Sequence, residues 1–233
     1  MDILSTMDSF QEQFFPSPSL PSITINSNLI RFDNKIVKDV YHQAHKAWMQ
    51  MKERTPEENR WSEYVYCLES YLVEGSRETY EVAAKFAKEY GFDSVVDIGC
   101  ACGAQGNLFS QVGIRYLGVE VCKMKMFPET EGVSYLFAKY PCQLPETKSN
   151  VLGISNLCVG YQCCEYESIA KQFDNFLLCS CRKAYDALGA YYEDARTVID
   201  STGKVENRWV WYSKSKFRKG KIENETEPKE TES

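Results

Sequence analysis

The sequence predicts an α/β fold: a three-layer sandwich around a mostly parallel sheet that ends in an antiparallel hairpin, preceded by an N-terminal helical extension. Three observations predict it. Seven short apolar runs follow one another after residue 91: SVVDIG, RYLGVEV, VSYLFA, NVLGISNL, NFLLCSC, ARTVID and RWVWYSK. Runs that are apolar on both sides suit strands covered by helices on both faces, and strand–helix–strand alternation implies right-handed crossovers in a parallel sheet. The last two runs are joined through STGK without a helix, which makes them an antiparallel pair at one edge.

Composition agrees with an ordinary globular chain. The 233 residues are 43% hydrophobic and 26% charged, enough to bury a core without metal or disulfide staples. A net charge of −6 excludes a surface uniformly positive enough for non-specific nucleic-acid binding. The start, MDILSTMDSFQEQFF, is acidic where a secretory leader carries positive charge, and no apolar run approaches the roughly 20 residues of a membrane span. The expected compartment is the cytosol. Cys100, Cys102, Cys122, Cys158, Cys179 and Cys181 lie in or beside apolar runs, and CAC, CC and CSC lack zinc-ligand spacing, so reduced thiols are expected. His42 and His45 share a helix face but have no third ligand nearby, so no metal site is expected.

Taken in order, residues 1–33 read as an irregular lead segment, because the Pro and Ser of FFPSPSLPS interrupt regular structure. Residues 34–91 form the helical extension. Its first helix carries Ile36, Val37, Val40, Tyr41, Ala44, Trp48 and Met51 at helical spacing. Its second opens with Thr55, Pro56 and Glu58 as cap, first-turn proline and capping-box partner. Ser76 caps the third, which Gly91 ends. The sandwich occupies 92–217, and 218–233 is a charged tail with little to bury, expected to be disordered.

The chemistry concentrates in SVVDIGCACGAQGN. A strand ending in Asp97 runs into Gly99, Cys100, Ala101 and Gly103, small residues that let the backbone turn and let a ligand approach the main chain, ahead of a helix whose first N–H groups are free. A second carboxylate, Glu120, closes the next strand, where an acidic side chain can take both hydroxyls of a ribose. Two such elements one β-α-β unit apart are more informative than either alone.

At these residues the chain resembles the class I S-adenosylmethionine-dependent methyltransferases. Their acidic-x-Gly-x-Gly-x-Gly motif is matched by Asp97, Ile98, Gly99, Cys100, Ala101, Cys102 and Gly103, with Ala101 in place of the middle glycine. The resemblance implies a Rossmann-like, seven-stranded sheet over residues 92 to about 216 and S-adenosylmethionine as cofactor. Asp97 and the backbone from Gly99 to Gly103 would face the methionine moiety, Glu120 the ribose, and Val121 or Cys122 the adenine. Family members often place a further acidic residue after the third strand of this sheet. Here that stretch is YLFAKYPCQLP, without a carboxylate, and Gln143 or a backbone carbonyl would have to replace it.

After the fourth run, SNLCVGY resembles the Asn-Pro-Pro-Tyr loop of enzymes that methylate amino nitrogens, with Asn156 in the asparagine position, both prolines missing, and Tyr161 beside an acceptor pocket. Asn156 and Tyr161 are the candidate catalytic pair; a strand-ending Asn bonded to its own turn is the structural alternative. Tyr191 and Tyr192 are further pocket candidates, and Trp209 and Trp211 share a sheet face as core or platform. Lys214, Lys216, Arg218, Lys219 and Lys221 form a basic run able to contact a phosphate backbone or simply to face water.

Three functional classes follow: a methyltransferase with an unidentified acceptor, a non-catalytic methyltransferase-like binding module, and an enzyme that cleaves the cofactor. A dinucleotide-binding fold is the competing reading of the loop, and the closing hairpin argues against it.

Overall fold

The computed structural model describes residues 19–26, 30–33, 76–100, 103–121, 130–145, 150–156, 165–202 and 209–216, together with seven helical positions between 35 and 50. Within them are eight strands: β1 (Ser22–Ile25), β2 (Ser94–Ile98), β3 (Arg115–Glu120), β4 (Val133–Phe137), β5 (Val151–Asn156), β6 (Asn175–Cys179), β7 (Asp194–Asp200) and β8 (Val210–Ser213). Four helices accompany them: α1 (Ser76–Glu89), α2 (Gly106–Gln111), α3 (Tyr166–Gln172) and α4 (Arg182–Gly189). All eight strands join one sheet in the order β1-β7-β8-β6-β5-β2-β3-β4. Only β8 is antiparallel to its neighbours, β6 and β7.

The alternation of side chains along a strand divides the core into two layers. Val95, Leu152, Ile154 and Leu177 point to the face covered by α1 and α2, where Tyr80, Phe86, Leu108 and Phe109 meet them. Val96, Ile98, Phe176 and Leu178 point to the other face, against Ile169 of α3 and Ala184, Tyr185 and Leu188 of α4. The three-layer α/β sandwich and its reversed final hairpin are as expected from the sequence.

Two details differ from the expectation. The sheet has eight strands rather than seven, because Ser22–Ile25, inside the segment read as irregular, pairs in parallel with Thr197–Asp200 of β7. Its SITI alternates exposed Ser22 and Thr24 with buried Ile23 and Ile25. Four residues beside a Pro-Ser stretch give too short a period-two signal to stand out in sequence. Secondly, α1, grouped in sequence with the extension, belongs to the sandwich. Trp209 Nε1 donates to the α1 carbonyl of Thr79 at 2.8 Å, and the rings of Tyr80 and Trp209 pack edge to face at 5.9 Å. At the end of α1, Gly91 takes φ 69°, with Gly91 N–H bonded to Lys88 O and Phe92 N–H to Ala87 O. That six-to-one and five-to-two pair is a Schellman closure, for which glycine is the natural residue.

Lys35, Asp39, His42, Gln43, Lys46, Met49 and Gln50 are helical and exposed, in agreement with a helix over this stretch. The apolar positions assigned to that helix, the second helix at 55–75 and the tail from 217 onward lie outside the described residues.

Candidate functional site

From β2 the chain moves outward to β3 and β4, then returns to lay β5 on the other side of β2. The crevice beyond the carboxyl ends of β2 and β5 is therefore the switch point of the sheet, where open α/β folds bind ligands. Asp97, Gly99, Cys100, Gly103, Glu120, Val121 and Asn156 all lie at this edge. Ala101, Cys122 and Tyr161 fall outside the described residues.

The loop after β2 is held tightly. Gly99 N–H and Cys100 N–H both donate to Val119 O, at 2.8 and 3.3 Å, and Gly103 N–H donates to Cys100 O at 3.0 Å. Gly103 has φ 64°, and a Cβ there would run into the ring of Tyr135, which reaches over from β4. The Tyr135 hydroxyl also donates to Gly103 O at 3.4 Å. On β3, a Cβ at Gly118 would lie 2.5 Å from Cys100 Sγ, so both glycines are demanded by close approach. The free helix-start amides expected from the sequence are not free. Gly106, Asn107 and Leu108 donate to Gly103, Ala104 and Gln105 carbonyls, because a tight i to i−3 turn opens α2.

Asp97 is fully buried behind this loop. Its Oδ2 accepts from the Tyr116 hydroxyl at 2.6 Å, Gln105 Nε2 at 2.9 Å and the Tyr80 hydroxyl at 3.2 Å. Among the described residues Oδ1 has no hydrogen-bond partner, although it is buried. Burial pushes the carboxyl up to about 6; the bonds from Tyr116, Gln105 and Tyr80 pull it down, and the charge of Glu120 adds to the rise. Gln105 Nε2 also donates to Cys100 O at 2.8 Å, so one side-chain amide ties the carboxylate to the loop.

Glu120 differs. It sits half-buried at the end of β3, its Oε1 accepts Val121 N–H at 2.8 Å, and Val121 beside it is 62% exposed. This is a carboxylate on a lip, next to an apolar surface. At the end of β4 come Phe137, Ala138, Lys139 and Tyr140, without a carboxylate, and Gln143 is exposed. Asn156 is buried at the end of β5, in register with Cys179, and Ser155 Oγ donates to Ile98 O at 3.0 Å, fastening β5 to the end of β2.

Other candidates lie elsewhere. Tyr191 and Tyr192 follow α4 at the amino edge of the sheet, and Tyr192 donates to Phe173 O at 3.0 Å. Trp209 and Trp211 are core residues against α1. Lys214 is at the amino edge too, bonded to Asp174 Oδ1 at 2.8 Å. The start of the basic run is thus a strand length, roughly 15 Å, from the crevice. Lys216 is exposed, and Arg218, Lys219 and Lys221 lie outside the described residues. Among the described residues Cys100, Cys142, Cys179 and Cys181 are not joined in disulfides, no acidic, His and Cys group is arranged to hold a metal, and no helix is long and apolar enough to cross a membrane.

No family model matches the sequence, and no curated protein matches it. Solved structures match the fold. Human N-acetylserotonin methyltransferase in complex with S-adenosylmethionine superposes with a TM-score of 0.51 over 78% of this chain, at 12% identity. The chain has the class I S-adenosylmethionine-dependent methyltransferase fold. Its strand order, β1 aside, is that expected of a seven-stranded methyltransferase sheet with a reversed final hairpin. Magnesium protoporphyrin IX methyltransferase from Synechocystis PCC 6803 with bound S-adenosylmethionine is 15% identical, with a TM-score of 0.47 over 81% of this chain and 100% of that one. A Burkholderia thailandensis 1,6-didemethyltoxoflavin-N1-methyltransferase with bound S-adenosylhomocysteine is 13% identical, with a TM-score of 0.42 over 70% of this chain and 91% of that one. The chain spans 66% of the human enzyme's length.

Within this methyltransferase fold, Asp97 and Glu120, both named from the sequence, lie at one edge, and the structure adds Tyr80, Gln105, Tyr116 and Tyr135 around them. Gln105 lies in the quoted motif and was legible as polar; the three tyrosines come from other elements and carry no local signal.

Proposed function

We propose that this protein binds S-adenosylmethionine in the crevice beyond β2, β3 and β5 and transfers its methyl group to an acceptor by in-line displacement. The observation that carries the proposal is the pairing, at the switch point, of a carboxylate on the lip of β3 with a tightly turned small-residue loop after β2. The residues fit an adenosyl compound. Glu120 would accept both ribose hydroxyls, Val121 would offer an apolar surface to a purine, and the backbone at Gly99 would support the methionyl side. Asp97 fits less directly, since it lies behind the loop with Oδ1 as a spare acceptor. When bound, the cofactor supplies a methyl group on a cationic sulfur, an excellent leaving group. The protein's task is then to align the nucleophile, exclude water and, for some acceptors, take a proton. Asn156 and Tyr161 are the proposed acceptor-facing pair, and the acceptor itself is left open by the fold.

Retained binding without catalysis is the second reading. It is favoured by the lack of a carboxylate in Phe137–Tyr140 and by SNLCVGY having neither proline of the loop it resembles. Calorimetric titration with S-adenosylhomocysteine tests both. Micromolar binding is expected, and absence of binding would remove the enzyme reading. Incubation with S-adenosylmethionine and cell extract, followed by mass analysis, separates transfer from binding alone and from cofactor cleavage.

A further inference from the structure

We propose that Gln105 and Tyr116 are positioning residues for the cofactor loop, and that they act through Asp97, which anchors the loop from behind and does not touch the ligand. The proposal rests on the reading of the crevice as the cofactor site. Its geometry is independent of that reading.

Gln105 is buried and spends one nitrogen on two acceptors, Asp97 Oδ2 at 2.9 Å and Cys100 O at 2.8 Å. It precedes α2 but makes no capping bond there. Its side chain turns back across the loop and spans Cys100 to Gln105. Tyr116, from β3, makes the shortest bond to the same carboxylate oxygen, and Tyr80 adds a third from α1. Three elements thus converge on one oxygen, and Gln105 carries that convergence to the loop backbone. The loop amides then follow: Gly103 N–H bonds the same Cys100 carbonyl that Gln105 holds. Freeing Cys100 O from Gln105 removes one of the bonds that steady the turn at Gly103.

A buried carboxylate with an unpartnered oxygen is costly, and an apolar residue of similar size would stabilise the fold more. A positional duty explains its presence. The groups acting on Asp97 are the Tyr80 hydroxyl from α1, the Gln105 amide ahead of α2, the Tyr116 hydroxyl from β3 and the charge of Glu120, with the Cys100 thiol next to Tyr116. No lysine or arginine among the described residues pairs with it. Because Oδ2 already faces three donors, a proton taken up by the carboxyl goes to Oδ1. Protonation weakens the charge-assisted bonds that hold Gln105 and loosens the loop as pH falls through about 6.

The test is hydrogen exchange of the Gly99, Cys100 and Gly103 amides in the full chain without ligand, alongside S-adenosylhomocysteine titration. Gln105→Leu keeps bulk and removes the amide. It should raise exchange at Cys100 and Gly103 about tenfold, leave β6 amides unchanged and weaken S-adenosylhomocysteine about tenfold. Should that variant fail to fold, Tyr116→Phe removes a single hydroxyl and should act in the same direction. In the wild type, loop exchange corrected for its intrinsic pH dependence should rise below pH 6, and in Asp97→Asn this step should vanish. Unchanged loop exchange in folded Gln105→Leu or Tyr116→Phe overturns the proposal. So does Asp97→Asn weakening S-adenosylhomocysteine tenfold or more with loop exchange unaltered, since the carboxylate would then be a direct contact. Failure of the wild type to bind the probe would overturn the methyltransferase reading instead, and the exchange arms would still decide the role of Gln105.

Discussion

Asp97 and Glu120 are two carboxylates on the same face of adjacent strands, Asp97 standing opposite Gly118 and Glu120 two residues further on. Their surroundings differ in every other respect. Asp97 is sealed beneath its loop and held by two tyrosines and a glutamine, whereas Glu120 sits at the lip, where its Oε1 accepts Val121 N–H beside an exposed valine. The same residue class, at the ends of neighbouring strands, divides into an anchor and a contact. Burial decides which is which, because a carboxylate sealed beneath its own loop is out of a ligand's reach even with one oxygen unspent.

The largest expected effect that could break this contrast is on stability at Asp97. Its carboxyl is raised from 3.8 to about 6, with burial the dominant cause, so the folded state binds more protons than the unfolded one between those values. Stability from this group is complete below about pH 4 and is lost as pH rises through about 6. Asp97→Asn should therefore gain up to about 3 kcal/mol near pH 7.5 and lack that decline, as measured by urea unfolding from pH 4 to 8. A variant less stable than wild type at pH 7.5 would mean that the ionised form is the better-held one.

Glu120→Ala tests the other half. It should weaken S-adenosylhomocysteine by about 2 kcal/mol, near thirtyfold, in calorimetry. The unfolding free energy should change by less than about 0.5 kcal/mol, as is usual for residues outside the core. An unchanged affinity would move the ribose elsewhere. The smallest effect sharpens the first: Tyr80→Phe removes the longest of the three Asp97 bonds and should cost about 1 kcal/mol at pH 7.5, while raising the carboxyl further in an NMR titration.

The sandwich was legible in the sequence because both strand period and helix punctuation are local signals. The apolar run ending in Asp97, the helix closed at Gly91 and the final pair without an intervening helix each announce themselves within a dozen residues. Ser22–Ile25 did not, since its partner is Thr197–Asp200 and a four-residue alternation gains meaning only beside it. At the site, the position of Asp97 was legible but its role was not. Tyr80 and Tyr116 lie 17 and 19 residues away on different elements, and nothing local to a tyrosine tells whether its hydroxyl meets water or a buried carboxylate. The basic run was visible as composition. That it begins at the edge opposite the crevice, where Lys214 meets Asp174, follows only from topology. This placement separates any phosphate-backbone contact there from the proposed reaction centre.

β1 has a consequence for biosynthesis. Among the described residues the only strand neighbour of Ile23 and Ile25 is β7, which is synthesised long after them. At about 5–20 residues per second β1 waits for several seconds to half a minute before its strand partner exists. During that interval it is a natural client for a chaperone, and a shortened chain lacking it would leave the flank of β7 open to pairing with another copy.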